Sequence, residues 1–219
     1  MMKKTFVLCN ALLLSFIVSV SQTALANDDN PLKDASFERQ LPPGQGGWIL
    51  FDQTRFSADQ ARSGSQSMYN WGFSRTLPSP PFLQGTVSGS YQEFLASPGS
   101  QWRLTGYGMT PAPLKGGLAF GIVQMSFFDA QGNDLGTVET SARNTPKAKT
   151  SNQVNKQTPV GEWIFLDTGV ATAPANTVKV HAFTLYVDYS GSDISQGVYF
   201  DDLKLCALNA EDTKGSACK

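Results

Sequence analysis

The chain has 219 residues, with 17 basic and 18 acidic side chains, a net charge of −1 and only 16% charged residues. Acids and bases are mixed along it, which argues against nucleic acid or an anionic surface as the main partner. A single histidine excludes histidine-based zinc sites by count.

Residues 1–26 have the form of a secretory signal peptide. Lys3 and Lys4 precede an apolar run from Ala11 to Val20, and Ala24-Leu25-Ala26 supplies a small-x-small cleavage site. The run is too short to span a bilayer, and no later segment has the length or apolar purity to do so. The expectation is a secreted chain, periplasmic or extracellular, with one domain over 27–208 and a surface tail over 209–219. A domain of this size buries roughly 70% of the surface of its unfolded chain. Cleavage removes Cys9 and leaves Cys206 and Cys218, an even pair that predicts one disulfide in an oxidising compartment.

Helical periodicity is scarce after residue 26. Short alternating apolar runs broken by Gly, Pro, Asn and Asp predict strands instead. They fall at 31–38, 48–51, 67–71, 90–95, 102–109, 118–128, 163–170 and 178–189, before a closing strand from Gly197 to Leu205. Residues 72–90, with Pro78, Pro80 and Pro81, and residues 141–160 are expected to be long loops. Along 102–109, Trp102, Leu104 and Gly106 share one face and Arg103, Thr105 and Tyr107 the other. The strand at 118–128 is apolar on both faces and is expected to be central. Roughly ten strands without a helix predict an all-β, two-sheet jelly roll.

The closing strand carries Asp201 and Asp202 side by side. An unpaired buried carboxylate is costly. Either this pair sits at a strand end in water, or one member holds a cation.

Seven short motifs occur in a fixed order: Asn30-Pro31 to Phe37-Glu38, Gly47-Trp48, Ser63-Gly64 to Met68, Gln92, Pro98-Gly99 to Trp102, Trp163, and Asp201-Asp202-Leu203. In this order they resemble the secreted β-sandwich carbohydrate-binding modules with a structural calcium. That group comprises families four, nine, sixteen and twenty-two and belongs to the galactose-binding-like folds. The resemblance covers nearly the whole chain after residue 26, and its specificity lies in the order, since each motif alone is weak. It implies a calcium ion held by the side chains of Glu38 and Asp201, with carbonyls from near Ser36 and Ser65, and Asp202 turned outward. Calcium takes six to eight oxygen ligands. Joining the first segment, a mid-chain turn and the last strand, it would bind only the folded state and raise stability. Trp48, Trp102 and Trp163 fall on family positions that pack in the core.

Sugar recognition needs flat aromatic surfaces with amide and carboxylate groups beside them, in a concave site. Trp71, at a strand end beside Phe73, opens the 72–90 loop. Arg103 and Tyr107 lie on the face opposite Trp102, and Gln124 is expected next to them on the following strand. Trp71, Phe73, Arg103, Tyr107 and Gln124 are therefore the candidate ligand-binding residues. The alternative is that these aromatics pack beneath the two long loops, which depart from the compact family pattern.

Evidence for catalysis is thin. His181 lies mid-strand, and there is neither a Gly-x-Ser-x-Gly elbow nor a glycine-rich phosphate loop. Nothing in the sequence brings two carboxylates together across one cleft. The expected function is non-catalytic binding of a neutral or weakly charged glycan or polysaccharide. A structural or adhesive surface protein without sugar binding is the rival, and a polysaccharide lyase or hydrolase is the third reading.

Overall fold

A computed structural model describes residues 30–78, 81–139 and 153–208, apart from the side chains of 75–83 and 137–139. Among them are twelve strands. Strands β1 (Ile49–Phe51), β6 (Thr86–Leu95), β8 (Ala119–Phe128), β9 (Asp134–Glu139) and β11 (Lys179–Asp188) form one sheet in the order β1-β6-β11-β8-β9. Strands β2 (Thr54–Ser57), β3 (Ser67–Gly72), β7 (Gln101–Met109), β10 (Ile164–Thr172) and β12 (Gln196–Leu208) form a second, in the order β10-β7-β12-β3-β2. Strands β4 (Arg75–Pro78) and β5 (Pro81–Gln84) pair as a separate hairpin. Every pairing is antiparallel. The all-β two-sheet expectation is met.

The core lies between the sheets and follows the period-2 alternation of the strands. The first sheet contributes Val123, Met125, Phe127, Val180, Ala182 and Tyr186; the second contributes Met68, Leu104, Leu166, Phe200 and Leu205. Each Val, Leu, Phe or Met side chain among them contributes about 1.5–3 kcal/mol by leaving water. The core also holds polar groups: Asn70 Nδ2 donates to Thr184 Oγ1 at 3.0 Å, and the Ser90 and Thr184 hydroxyls lie 2.8 Å apart, while the buried Asn70 Oδ1 has no hydrogen-bond partner among the described residues. The apolar faces on both sides of β8 are explained by its place inside the first sheet, between β11 and β9.

Three sequence expectations need correction. Residues 31–38 form turns rather than a strand, because Asp34 and Phe37 take positive φ angles of 53° and 61°. Phe37 is nevertheless a core anchor, fully buried and 5.1 Å from the ring of Trp48. The stretch 72–90 is not one loop: it contains β4, β5 and the start of β6. Trp48 and Trp102 are buried as expected, but Trp163 is only half-buried and lies just before β10. The predicted signal peptide, most of the 141–160 loop and the 209–219 tail fall outside the described residues.

Candidate functional site

The predicted cation site is a three-way junction. Residues 30–40 meet the last strand through Asn30: its Nδ2 donates to Leu203 O at 2.6 Å, and its Oδ1 accepts from Leu205 N at 3.0 Å. Gln92 fastens the same segment to the first sheet, donating to Lys33 O at 2.6 Å and accepting from Lys33 N at 3.0 Å. Asp201 sits at a bulge in β12, where pairing with β7 slips between Asp201 and Lys204 and Asp202 takes φ 49°. Its carboxylate is fully buried and accepts from the N–H groups of Arg62 (2.7 Å), Ser63 (3.1 Å) and Asp202 (2.8 Å). Burial pushes its pKa up to about 6 despite these three donors.

Glu38 holds the other end of the same turn. Its carboxylate accepts from Ser65 N (3.0 Å), Ser65 Oγ (2.7 Å) and Gln66 N (3.0 Å). The Ser65 hydroxyl foremost, then the Gln66 N–H, hold its pKa below the ordinary value. A Cβ at Gly64, where φ is 62°, would stand 2.4 Å from Glu38 Oε1, so glycine is favoured there. Ser36 lies half-buried in the 31–38 turns. Asp202 is not simply solvated: it accepts from Arg62 Nη1 and Ser63 Oγ, both at 2.5 Å. The two carboxylates and nearby carbonyls are hard oxygen donors of the type calcium takes. Both carboxylates already accept N–H bonds, and no group of three or more Asp, Glu, Cys or His side chains placed to hold a metal ion occurs among the described residues.

The predicted ligand residues divide between the two sheets. On the outer face of the second sheet, Trp71 stacks on Tyr69 (5.3 Å, planes 8° apart), and Tyr69 stacks on Tyr199 (4.3 Å). The Arg55 guanidinium covers Trp71 and Tyr69 at 5.2 and 5.5 Å. Tyr107 lies on the same face beneath Arg62, whose guanidinium is 3.5 Å from its ring. Arg103 forms a two-pronged ion pair with Asp167 at 2.9 and 2.5 Å. Phe73 projects beyond the end of β3 and is exposed. Much of this face is therefore already occupied by its own cations and carboxylates. Gln124 is not beside it. The chain crosses to the other sheet between β7 and β8, so Gln124 stands on the outer face of the first sheet.

That first-sheet face carries a second set of rings, of which Phe51 and Phe183 pack against the buried Phe120, Ile122, Leu185 and Val187 at one end. Tyr91 on β6 stacks on His181 of β11 (5.1 Å, 12°) and lies 5.3 Å from Phe183. Phe51 on β1 approaches Tyr91 at 6.4 Å, and Phe128 on β8 approaches His181 at 4.2 Å. The row thus crosses four strands, and each of its rings is half-buried. Gln124, Glu93 and Lys179 supply amide, carboxylate and ammonium groups beside it. Lys179 Nζ lies 3.4 Å from Glu93 Oε2. His181 Nε2 lies 3.1 Å from the same oxygen without the alignment of a hydrogen bond. Burial, before any other cause, lowers the His181 pKa, while Glu93 opposes it. A cavity of about 360 Å³ opens at one end of the row, lined by Glu93, Phe128, Gln131, Lys179 and His181 among others. Sequence reasoning missed Tyr91, Phe183 and His181 as one surface. Their alternation was visible, but the register that pairs Tyr91 with Phe183 and Phe183 with Gln124 was not.

No protein-family model matches the sequence, and no curated protein matches it. Solved structures match by shape. The family 22 module and catalytic domain of endo-1,4-β-D-xylanase 10B from Clostridium thermocellum, complexed with xylohexaose, matches at 14% identity and a TM-score of 0.50, over 83% of this chain and 29% of that one. A family 61 carbohydrate-binding module in complex with β-1,4-galactotriose matches at 14% identity and a TM-score of 0.47, over 82% of this chain and 99% of the module. The enzymatically active domain of tailspike protein 4 from bacteriophage CBA120 matches at 14% identity and a TM-score of 0.46, and this chain spans 21% of its length. The chain shares the β-sandwich fold seen in carbohydrate-binding modules. At these identities the likeness is one of fold.

Proposed function

We propose that this protein is a secreted, non-catalytic glycan-binding domain that holds a neutral or weakly charged polysaccharide on the outer face of its first sheet. The observation that carries this reading is the half-buried row Phe51–Tyr91–His181/Phe183–Phe128, flanked by Gln124, Glu93 and Lys179. Ring faces accept the apolar faces of pyranose units, and the flanking groups bond their hydroxyls. Trp71 and Phe73 remain a second aromatic surface on the opposite side, where Arg103 and Tyr107 are engaged by Asp167 and Arg62. Affinity electrophoresis in gels cast with a panel of neutral polysaccharides tests the reading. The wild type should be retarded by at least one, and Tyr91→Ala should lose about tenfold or more in affinity while Trp71→Ala keeps it. Retardation of neither wild type nor variants would leave the structural or adhesive reading.

Calcium at the junction belongs to the same proposal. The fully buried Asp201 carboxylate, the nearby Glu38 carboxylate and the carbonyls near Ser36 and Ser65 are its oxygen donors, and binding would replace N–H bonds at both carboxylates. Thermal unfolding with millimolar calcium and with chelator tests it. A reversible rise in melting temperature supports the ion, and identical curves count against it.

A further inference from the structure

A second cavity, of about 350 Å³, lies at the loop end of the second sheet, away from the aromatic row. Its lining includes Tyr69, Pro111, Pro113, Leu114, Lys115 and Ile194, with Gln196 and Gly197 of β12 also in contact. We propose that this cavity binds a carboxylate-bearing sugar unit, a uronate, at a site separate from the neutral-glycan face and independent of it.

The walls are built. Gly197 pairs with Trp71 across β12 and β3, and a Cβ there would stand 2.7 Å from Tyr69 Cε2 and Trp71 Cβ. The missing side chain lets the Tyr69 ring lie over β12 and become one wall. The opposite wall is the segment 110–115, whose shape is set by Thr110 Oγ1 donating to Ala112 O at 2.5 Å. Lys115 is mounted by a buried amide: Gln196 Oε1 accepts from Lys115 N, and Gln196 Nε2 donates to Lys115 O at 3.3 Å. Gln196 is itself held by Asp188 Oδ2 at 3.0 Å. The position of the lysine backbone is therefore fixed by the fold.

Charge selects the ligand. Lys115 is the sole charged residue of the lining among the described residues, and it is exposed. Asp193 precedes Ile194 but does not line the cavity. The first-sheet cavity differs, having Glu93 and Asp129 beside Lys179 and His181. Two prolines and the exposed Ile194 offer apolar surface to the C–H face of a pyranose, with the stacked Tyr69 ring beside them. The ammonium group supplies the counter-charge for a carboxylate at its rim, an attraction that salt weakens.

Isothermal titration with trimers of galacturonate, mannuronate and glucuronate, each beside its methyl ester, tests the assignment. At least one acid should bind, its ester at least fivefold more weakly. Lys115→Gln should cut acid affinity at least fivefold and leave neutral-polysaccharide retardation unchanged. Ile194→Ser should weaken acid and ester alike. Absence of binding by every acid, equal affinity for an acid and its ester, or indifference to Lys115→Gln would each overturn the site. Loss of neutral-polysaccharide binding in the wild type would refute the first-sheet reading and leave this one standing.

Discussion

The Tyr91 ring and the His181 imidazole lie face to face at 5.1 Å, in the middle of a row of aromatic groups that crosses the first sheet. The imidazole faces Glu93, Lys179 and Asp134 as its charged neighbours, and burial dominates. A histidine whose folded pKa lies below the unfolded value of 6.5 takes up its proton less readily in the folded state. Its contribution to stability is thus full above about pH 6.5 and is lost as pH falls through the folded value. Thermal unfolding between pH 5 and 8 should show this loss, and His181→Phe should lack it. Identical pH slopes for the two proteins would show that His181 does not titrate in this window.

Asp188 should be the costliest carboxylate to remove. It is fully buried; Ser74 Oγ (2.7 Å), Ser190 Oγ (2.7 Å), Tyr186 Oη (3.0 Å) and Gln196 Nε2 (3.0 Å) all donate to it. Burial raises its pKa, but these bonds outweigh burial and leave it lowered. Asp188→Ala would strand several buried donors and cost about 3–5 kcal/mol, measured by urea unfolding. A loss below about 1 kcal/mol would mean that water replaces the carboxylate.

Gly64→Ala forces a Cβ into a left-handed residue and against Glu38. The expected cost is about 1–2 kcal/mol. Glu38→Gln keeps the shape but removes the charge, so any calcium-dependent rise in melting temperature should shrink or vanish in that variant. A full calcium response in Glu38→Gln would place the ion elsewhere.

Cys206 is buried on β12, and its expected partner Cys218 lies outside the described residues. If the two are bridged, Cys206→Ser should cost on the order of 2–3 kcal/mol in the chain-entropy model. Thiol titration of the denatured, unreduced protein is the direct check. Two reactive thiols in the mature wild type would contradict the bridge.

Strands read well from this sequence where alternation was clean, as in Trp102–Met109, whose two faces separate as expected. Alternation failed near Phe37, because a buried aromatic in a left-handed turn looks like a strand residue when only hydrophobicity is read. The junction at Glu38, Asp201 and the 62–66 turn was visible through motif order. That its carboxylates accept backbone N–H groups was not, since backbone donors leave no mark in sequence. The ligand surface was the least visible part. Gln124 follows Tyr107 closely in sequence, but the chain crosses from one sheet to the other between β7 and β8, and period-2 patterns do not say which strands become neighbours.

Strand β12, the last of the described strands, runs down the middle of the second sheet and joins β7 to β3. A chain emerging amino end first therefore has both flanks of that sheet in hand and no strand to link them. Asn30 and Asp201 also wait for partners far along the chain. That sheet closes only when β12 pairs with both flanks, contacts far apart in sequence, so folding should be slow for this size.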